Sequence, residues 1–294
     1  MKGKKMRNLG GCIVLPAVVL GALLIYAPRG NPMFKGRPLR FWLQGWGPFA
    51  GMVMNPGTPY EIAYPTASDA QMALQNSGAK SLPALLRMLR ANDYGLTWKI
   101  EYWCAKHRLL TQDIDPTIQR MTATVALRMS NSGAARVVPQ LIAIYEGYKR
   151  PADLGMYIPT IFTSIGPGAI DAVPALSHAL TNEVKAEARQ CAAEALGAIH
   201  SQPKIAVPAL LLALRDSSPD VQAQAALSLG EFRTNAETAL PTLRILAQQP
   251  GPRRRGSHQS WDLGNVSSYS PAAAAEDAIE MIAPQSKHPA HSPH

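Results

Sequence analysis

A proline-marked motif recurs along the chain, and it limits the possible folds more than any other feature. The motif is an apolar residue, a proline, any residue and a second apolar residue. Copies lie at Pro83, Pro139, Pro174, Pro208 and Pro241, at intervals of 56, 35, 34 and 33 residues. A repeat period of about 20–50 residues is typical of solenoids, in which each repeat buries its apolar face only against its neighbours.

The best-formed copy, residues 206–233, is predicted to be a helix, a sharp turn and a second helix. The apolar stripes are Val207, Leu210, Leu211 and Leu214 in the first helix, and Val221, Ala225 and Leu229 in the second. Pro208 is expected in the first turn, where its missing N–H costs nothing. Residues 216–219 are expected to break the first helix and cap the next, and Gly230 to close the second.

A second pattern precedes the later prolines with the same period. Residues 188–197 align with residues 221–230 at an offset of 33. The combined pattern, V-R-x-x-A-A-x-x-L-G, a turn and A-V-P-x-L-x-x-x-L, resembles the HEAT repeat, in the short bacterial form related to phycobilisome lyases. The resemblance is good over 171–247, fair over 116–168 and weak over 67–90.

This resemblance implies an all-α, right-handed solenoid of about five helix pairs. It also implies a non-enzymatic scaffold that binds an unidentified protein partner through an extended surface. Two alternatives stay open. One is a lyase-like or chaperone-like accessory factor of an enzyme complex, and the other is a nucleic-acid-binding repeat protein.

The N-terminal region carries the signature of a membrane anchor. Residues 1–8 form a basic leader, and residues 9–27 contain no charge. At about 1.5 Å per residue, such a helix just spans a hydrocarbon core of about 30 Å. Basic residues before it predict a single-pass protein of the cytoplasmic membrane, with its body outside the cytoplasm. A cleaved signal peptide and secretion are the main alternative, and a lipoprotein signal at Cys12 fits less well because its box precedes the apolar run.

The rest of the chain divides by composition. Residues 28–66 are a proline-rich linker, in which Leu39–Leu43 is expected to form a helical turn. Phe41, Trp42 and Trp46 are expected to pack on the first repeat helix as a cap, with an aromatic binding patch as the alternative. The repeat domain is placed at 67–284, with an irregular insert at 91–115, a loop at 248–270 and a disordered tail at 285–294. The insert is expected to hold an extra amphipathic helix at 96–110.

The charge distribution argues against nucleic-acid binding. The net charge is +9, from 29 Lys and Arg against 20 Asp and Glu. Five of the basic residues lie in the first thirty, so the remainder carries 24 basic residues, or +4. A nucleic-acid footprint needs a basic face rather than a basic terminus.

No motif for chemistry is found in the sequence. Nucleophile elbows, phosphate loops, Cys-x-x-Cys pairs and His-Glu dipeptides do not occur. The isolated histidines, His107, His178, His200 and His258, share no spacing. We therefore predict no catalytic residue, no metal, no cofactor and no small-molecule substrate. Cys191 is expected to be a small core residue, although a disulfide with Cys104 stays open.

The candidate partner-binding residues lie at fixed distances past the motif prolines. Four residues past them are Arg87, Ala143, His178, Leu212 and Ile245. Seven residues past them are Arg90, Glu146, Thr181, Arg215 and Gln248, which are all polar and are therefore expected to be exposed. These five and the loop triplet Arg253, Arg254 and Arg255 are the predicted contacts to a partner, with solvated helix ends as the alternative.

The anchor hypothesis makes a direct prediction. We expect the full-length chain, with residues 1–27 retained, in the membrane fraction, because an uncleaved apolar span keeps it there. Fractionation with mass spectrometry of the N-terminus checks this. Recovery of a soluble chain that begins after residue 27 would show a cleaved signal instead.

Overall fold

The structure is a computed structural model that describes residues 32–46, 53–54, 62–63, 65–91, 116–147, 154–249 and 270–284. Its contacts divide the chain into two compact units, Met1–Ala123 and Thr124–His294. The predicted span at 9–27, the insert helix at 96–110, the arginine triplet and the C-terminal tail lie outside the described residues. Within the described residues, no helix combines the length and the apolar character that crossing a membrane requires.

The first unit begins with a small hairpin and ends with a helix pair. Strands β1 (Met33–Phe34) and β2 (Arg37–Pro38) pair antiparallel, and β3 (Val53–Met54) and β4 (Ile62–Ala63) form a second antiparallel pair. The helices are α1 (Leu39–Leu43), α2 (Ala67–Ser77) and α3 (Leu82–Leu89). Because of these strand pairs, the first unit is not purely helical. Neither pair was predicted from the sequence.

Helix α1 packs on α2, as the sequence analysis predicted for this segment. Its fully buried residues are Leu39 and Leu43, whereas Phe41 and Trp42 are half-buried. The helix is therefore held by a leucine pair at i and i+4, which places both side chains on one face. Helix α2 starts at a capping box, in which Thr66 and Asp69 exchange side-chain and backbone hydrogen bonds.

Further helices follow in regular pairs. They are α4 (Pro116–Met129), α5 (Val138–Glu146), α6 (Leu154–Ile165), α7 (Val173–Asn182), α8 (Ala186–Ile199), α9 (Pro203–Ala213), α10 (Pro219–Glu231), α11 (Leu240–Ala247) and α12 (Pro271–Ile282). In most of the pairs, a 3₁₀ turn joins the first helix to the second. Helix α4 contains the boundary between the units, and its buried Arg120 donates a 2.7 Å hydrogen bond to the Ala91 carbonyl.

The second unit is built from two rows of stacked helices. The first helices, α6, α8, α10 and α12, pack successively on one another, and α7 packs on α9. We call the proline-bearing helices α5, α7, α9 and α11 the second helices. This stacking of helix pairs agrees with the predicted solenoid, whereas its handedness stays a prediction.

The proline motif sets the core register of each pair. The leucine two residues past each proline is fully buried in every copy: Leu85, Leu141, Leu176, Leu210 and Leu243. In the copies other than that at Pro208, the helix begins one residue before the motif proline, so the proline lies in the first turn as predicted.

Pro208 is the exception and corrects the prediction. Helix α9 begins earlier, at Pro203, so Pro208 lies inside it. The reason is local, because this copy continues as α-helix where the other copies have a 3₁₀ turn. Pro208 offers no N–H to the carbonyl of Lys204, but both residues are exposed and water can bind that carbonyl.

Gly230 does not close its helix as predicted, since α10 continues to Glu231. A β-carbon at Gly230 would lie 3.2 Å from the α-carbon of Ala278 in α12. One repeat earlier, a β-carbon at Gly197 would lie 2.8 Å from the β-carbon of Ser228. The hydroxyl of Ser228 crosses this interface and donates to the carbonyl of Ala193 at 2.8 Å. Both glycines therefore allow close approach between neighbouring first helices.

The turn before α10 is held by Asp216 rather than by a serine cap. The side chain of the N-cap residue Ser218 makes no capping bond, but its backbone N–H donates to Asp216 at 2.8 Å. Arg189 of α8 donates two 2.7 Å hydrogen bonds to the same carboxylate. It also donates to the carbonyls of Glu183 and Val184, at 3.0 Å each. One guanidinium thus joins two successive inter-repeat turns.

The two leucines of α9 that differ most in exposure make a matched stability test. We expect Leu210→Ala to lower the free energy of unfolding by about 2–5 kcal/mol, because it leaves a cavity in the core. Leu212→Ala, at a side chain that is 64% exposed, should change it by less than about 0.5 kcal/mol. Urea unfolding followed by circular dichroism measures both. Equal losses would contradict the assigned core register.

The Arg189–Asp216 pair predicts a pH-dependent contribution to stability. The guanidinium and the N–H of Ser218 hold the pKa of Asp216 below its ordinary value of 3.8, against the opposing effect of burial. The carboxylate therefore stabilises the fold fully above that value, and the contribution is lost as pH falls below it.

We expect Asp216→Asn to cost about 1–3 kcal/mol at pH 7, because charge-assisted hydrogen bonds are lost. The difference from the wild type should shrink below about pH 4, where the wild-type carboxylate also takes up a proton. Urea unfolding of both proteins across this range measures the difference. A difference that stays constant into strong acid would rule out the ion pair as its source.

Candidate functional site

Each second helix exposes the same side, and we call the set of these exposed sides the proline face. The motif proline is exposed in every copy, and so are the residues four and seven positions past it. These positions, i, i+4 and i+7, lie on one side of a helix. The buried leucine two residues past the proline faces the core, so the core register also fixes which side chains the proline face presents.

The positions four residues past the proline carry the most unusual side chains of this face. Leu212 and Ile245 are 64% and 66% exposed and occupy equivalent positions in successive second helices. Ala143 and His178 occupy that position in the two preceding helices and are also exposed. Scattered apolar residues are common on protein surfaces, and the recurrence of a large aliphatic residue at one repeat position makes these two the candidates of this face.

The positions seven residues past the proline lie at the C-terminal ends of the second helices. Glu146 is the last residue of α5, Arg215 follows α9, and Gln248 caps α11. Thr181 is exposed, but its hydroxyl donates to the carbonyl of His178 at 3.0 Å within its own helix. Arg90 caps α3, is exposed and belongs to the first unit.

These helix-end residues are therefore accessible, and the two arginines lie where a helix presents its free carbonyl groups. Such a position favours a positive charge whether or not a partner is bound. Partner binding by this set stays a prediction. Arg253, Arg254 and Arg255 lie outside the described residues.

Positive charge is concentrated outside the repeats. The first 60 residues contain eight Lys and Arg and no Asp or Glu, whereas residues 61–294 carry 21 basic against 20 acidic residues, or +1. The net charge of the repeat region is therefore close to zero, whereas nucleic-acid binding is usually accompanied by a strongly basic domain.

Two titratable side chains are buried in the second unit. Cys191 is a free thiol in the core, and burial raises its pKa to about 12. Burial also raises the pKa of Tyr145, with a further contribution from Glu183, and its ring meets Phe162 edge-on at 6.4 Å between centroids. Both groups are neutral at physiological pH, so neither is an activated nucleophile. This agrees with the interpretation of Cys191 as a core residue.

The described residues contain no group of three or more His, Cys, Asp or Glu that could hold a metal ion. His178 and His200 are both exposed, and they lie on α7 and directly after α8. His107 and His258 lie outside the described residues.

The sequence prediction selected the polar positions as partner contacts, and the structure adds that Leu212 and Ile245 are exposed on the same face. The signal was present, because each stands where an earlier copy has His178 or Arg87. A polar-to-apolar change at an exposed repeat position is how a surface patch can be found without a structure.

The comparison with protein families agrees with the helical fold. The family model described as HEAT repeats matches residues 173–260, less than a third of the chain. Together with the packed helix pairs, this match supports a HEAT-repeat protein. No curated protein matches the chain.

Proposed function

We propose that this chain is a scaffold that binds a protein partner through the proline face of its second helices. HEAT repeats commonly mediate protein–protein interaction, and the match covers helices α7 to α11. In stacked repeats, equivalent positions of successive helices line one extended surface, which suits a protein partner better than a small molecule.

The exposure of Leu212 and Ile245 is the observation that supports this proposal. Full burial of one such side chain is worth about 1.5–3 kcal/mol, so a partner that covers both gains substantial affinity. Because both side chains are about two-thirds exposed, they contribute little to the stability of the free chain, whose core is filled by the leucines two residues past each proline.

The surroundings of these two residues indicate the chemistry of the partner. Arg215 lies three residues past Leu212, and Arg244 precedes Ile245, and both arginines are exposed. A partner segment with aliphatic or aromatic anchors and flanking carboxylates would complement this surface.

We place this interaction at the cell envelope, on the extracytoplasmic side of the cytoplasmic membrane. The support is the uncharged run at 9–27 behind a basic leader. A tethered scaffold would concentrate its partner at the membrane surface, where even a modest affinity is sufficient.

Site-specific photo-crosslinking tests the proposed surface. We expect p-benzoylphenylalanine in place of Leu212, or in place of Ile245, to give a discrete adduct of higher mass in the host cell. The same probe in place of Val184, which is 92% exposed in the turn before α8, should give none. Immunoblotting and mass spectrometry of the purified adduct measure the outcome.

A double variant separates binding from folding. Leu212→Glu with Ile245→Glu should abolish copurification of the crosslinked partner, because it places carboxylates where apolar anchors must bury. Thermal unfolding should change little, since both side chains are exposed. Val184→Glu is the matched control. Partner recovery that is equal for the double variant and the control would refute the proposed face.

A further inference from the structure

The start of the first unit forms a rigid cationic hairpin, residues 33–42, which we call the basic hairpin. Strands β1 and β2 are joined by Lys35 and Gly36, with φ of +45° and +74°. Positive φ at both central residues is the pattern of a type I′ turn, which costs a lysine more than a glycine. The turn places the exposed Lys35 at the tip of the hairpin.

Aromatic side chains hold the basic hairpin in one shape. The indole of Trp42 donates to the carbonyl of Phe34 at 2.8 Å, and their rings meet edge-on at 5.4 Å between centroids. The Lys35 ammonium lies 5.2 Å from the Phe34 ring centroid, and the Arg37 guanidinium 4.2 Å from that of Phe41. These cation–π contacts keep the two charges beside half-buried rings.

The hairpin presents apolar and cationic groups to solvent together. Met33 is 55% exposed, and the rings of Phe34 and Trp42 are half-buried. Lys35 and Arg37 are exposed on the same short ribbon. Aromatic rings beside basic residues are the composition found where proteins meet the headgroup region of a bilayer.

Negative charge that could neutralise the hairpin is scarce. No Asp or Glu precedes Glu61 in the sequence. Asp69 of α2 lies near enough to Lys35 to interact electrostatically, and its carboxylate also accepts hydrogen bonds from the backbone and hydroxyl of Thr66, at 3.0 and 2.8 Å. This one carboxylate faces the two charges of Lys35 and Arg37, so the hairpin keeps a net positive charge.

The length of chain before the hairpin limits where it can lie. Only residues 28–31 separate the end of the predicted span at residue 27 from Pro32. This connection reaches at most about 18 Å. If residues 9–27 span the bilayer, the hairpin cannot leave the neighbourhood of the membrane surface, and this step rests on the envelope location proposed above.

We infer that the basic hairpin binds the anionic phospholipid headgroups of the membrane that holds residues 9–27. Lys35 and Arg37 contact lipid phosphates, while Met33 and the edges of Phe34 and Trp42 lie at the interface between headgroups and acyl chains. The contact holds the first unit against the bilayer, so that the chain after residue 27 leaves the membrane in a defined direction.

Quenching of Trp42 by brominated lipids tests the inference. The full-length chain is reconstituted in nanodiscs of phosphatidylcholine, or of an equimolar mixture with phosphatidylglycerol, each with brominated acyl chains. The Trp42 signal is the difference between the wild type and Trp42→Phe. We expect stronger quenching in the anionic discs, corresponding to a contact equilibrium shifted by about thirtyfold for two basic residues. Added salt should reduce it.

Charge-reversal variants supply the control. Lys35→Glu with Arg37→Glu should remove the excess quenching, whereas Lys204→Glu with Arg136→Glu makes the same change of net charge on exposed residues of the second unit and should leave it. Circular dichroism establishes that both variants are folded. Equal quenching of wild-type Trp42 in the two lipids, or equal losses in the two double variants, would overturn the inference.

The same experiment also tests the anchor separately, through comigration of the chain with the discs. Comigration of the chain with phosphatidylcholine discs depends on residues 9–27 and not on lipid charge. A chain that comigrates with both discs but shows no lipid-dependent quenching keeps its anchor and refutes the hairpin contact. A chain that requires phosphatidylglycerol for association supports the hairpin contact and refutes the anchor.

Discussion

The stacking of the first helices depends on close contact between their backbones. At Gly197 there is no room for a side chain, because Ser228 of the next first helix fills that space and bonds to the carbonyl of Ala193. Gly230 plays the same role against Ala278 of α12. Tight stacking on this side of each repeat leaves the opposite side, the proline face, as the surface that varies from copy to copy. The packing of the core therefore determines which surface is exposed to a possible partner, but not which partner could bind there.

Much of this fold follows from the sequence alone, for a physical reason. A helix that must bury a stripe repeats its leucines at a fixed distance from a proline, and the leucine two residues past the proline is buried in every copy. The prediction for Pro208 was wrong because its helix begins earlier, at Pro203, and that for Gly230 because local rules for helix ends do not include neighbouring helices. A glycine at position 230 is typical of a helix end when the sequence is considered alone, whereas in the stacked helices it is a contact residue. The strand pairs of the first unit are too short to give an alternating pattern.

The sequence predicted which positions of the candidate surface are exposed, but it did not single out the apolar residues among them. Helical periodicity identified the exposed positions, since the residues four and seven past the proline point away from the core. Sequence reasoning then favoured polar residues as binding groups, although Thr181 uses its hydroxyl within its own helix. Leu212 and Ile245 are the large aliphatic side chains of this face, and a partner that buries them would gain free energy from the removal of apolar surface from water.

The guanidinium of Arg189 has a consequence for motion. It donates to the turn at Glu183 and Val184 and to the turn at Asp216 at once, so a displacement of this one side chain weakens both turns. Local opening is cooperative within such units. The stretch 183–218 should therefore exchange its amide hydrogens as one block, and fluctuations that begin in one repeat pass to the next through a single side chain.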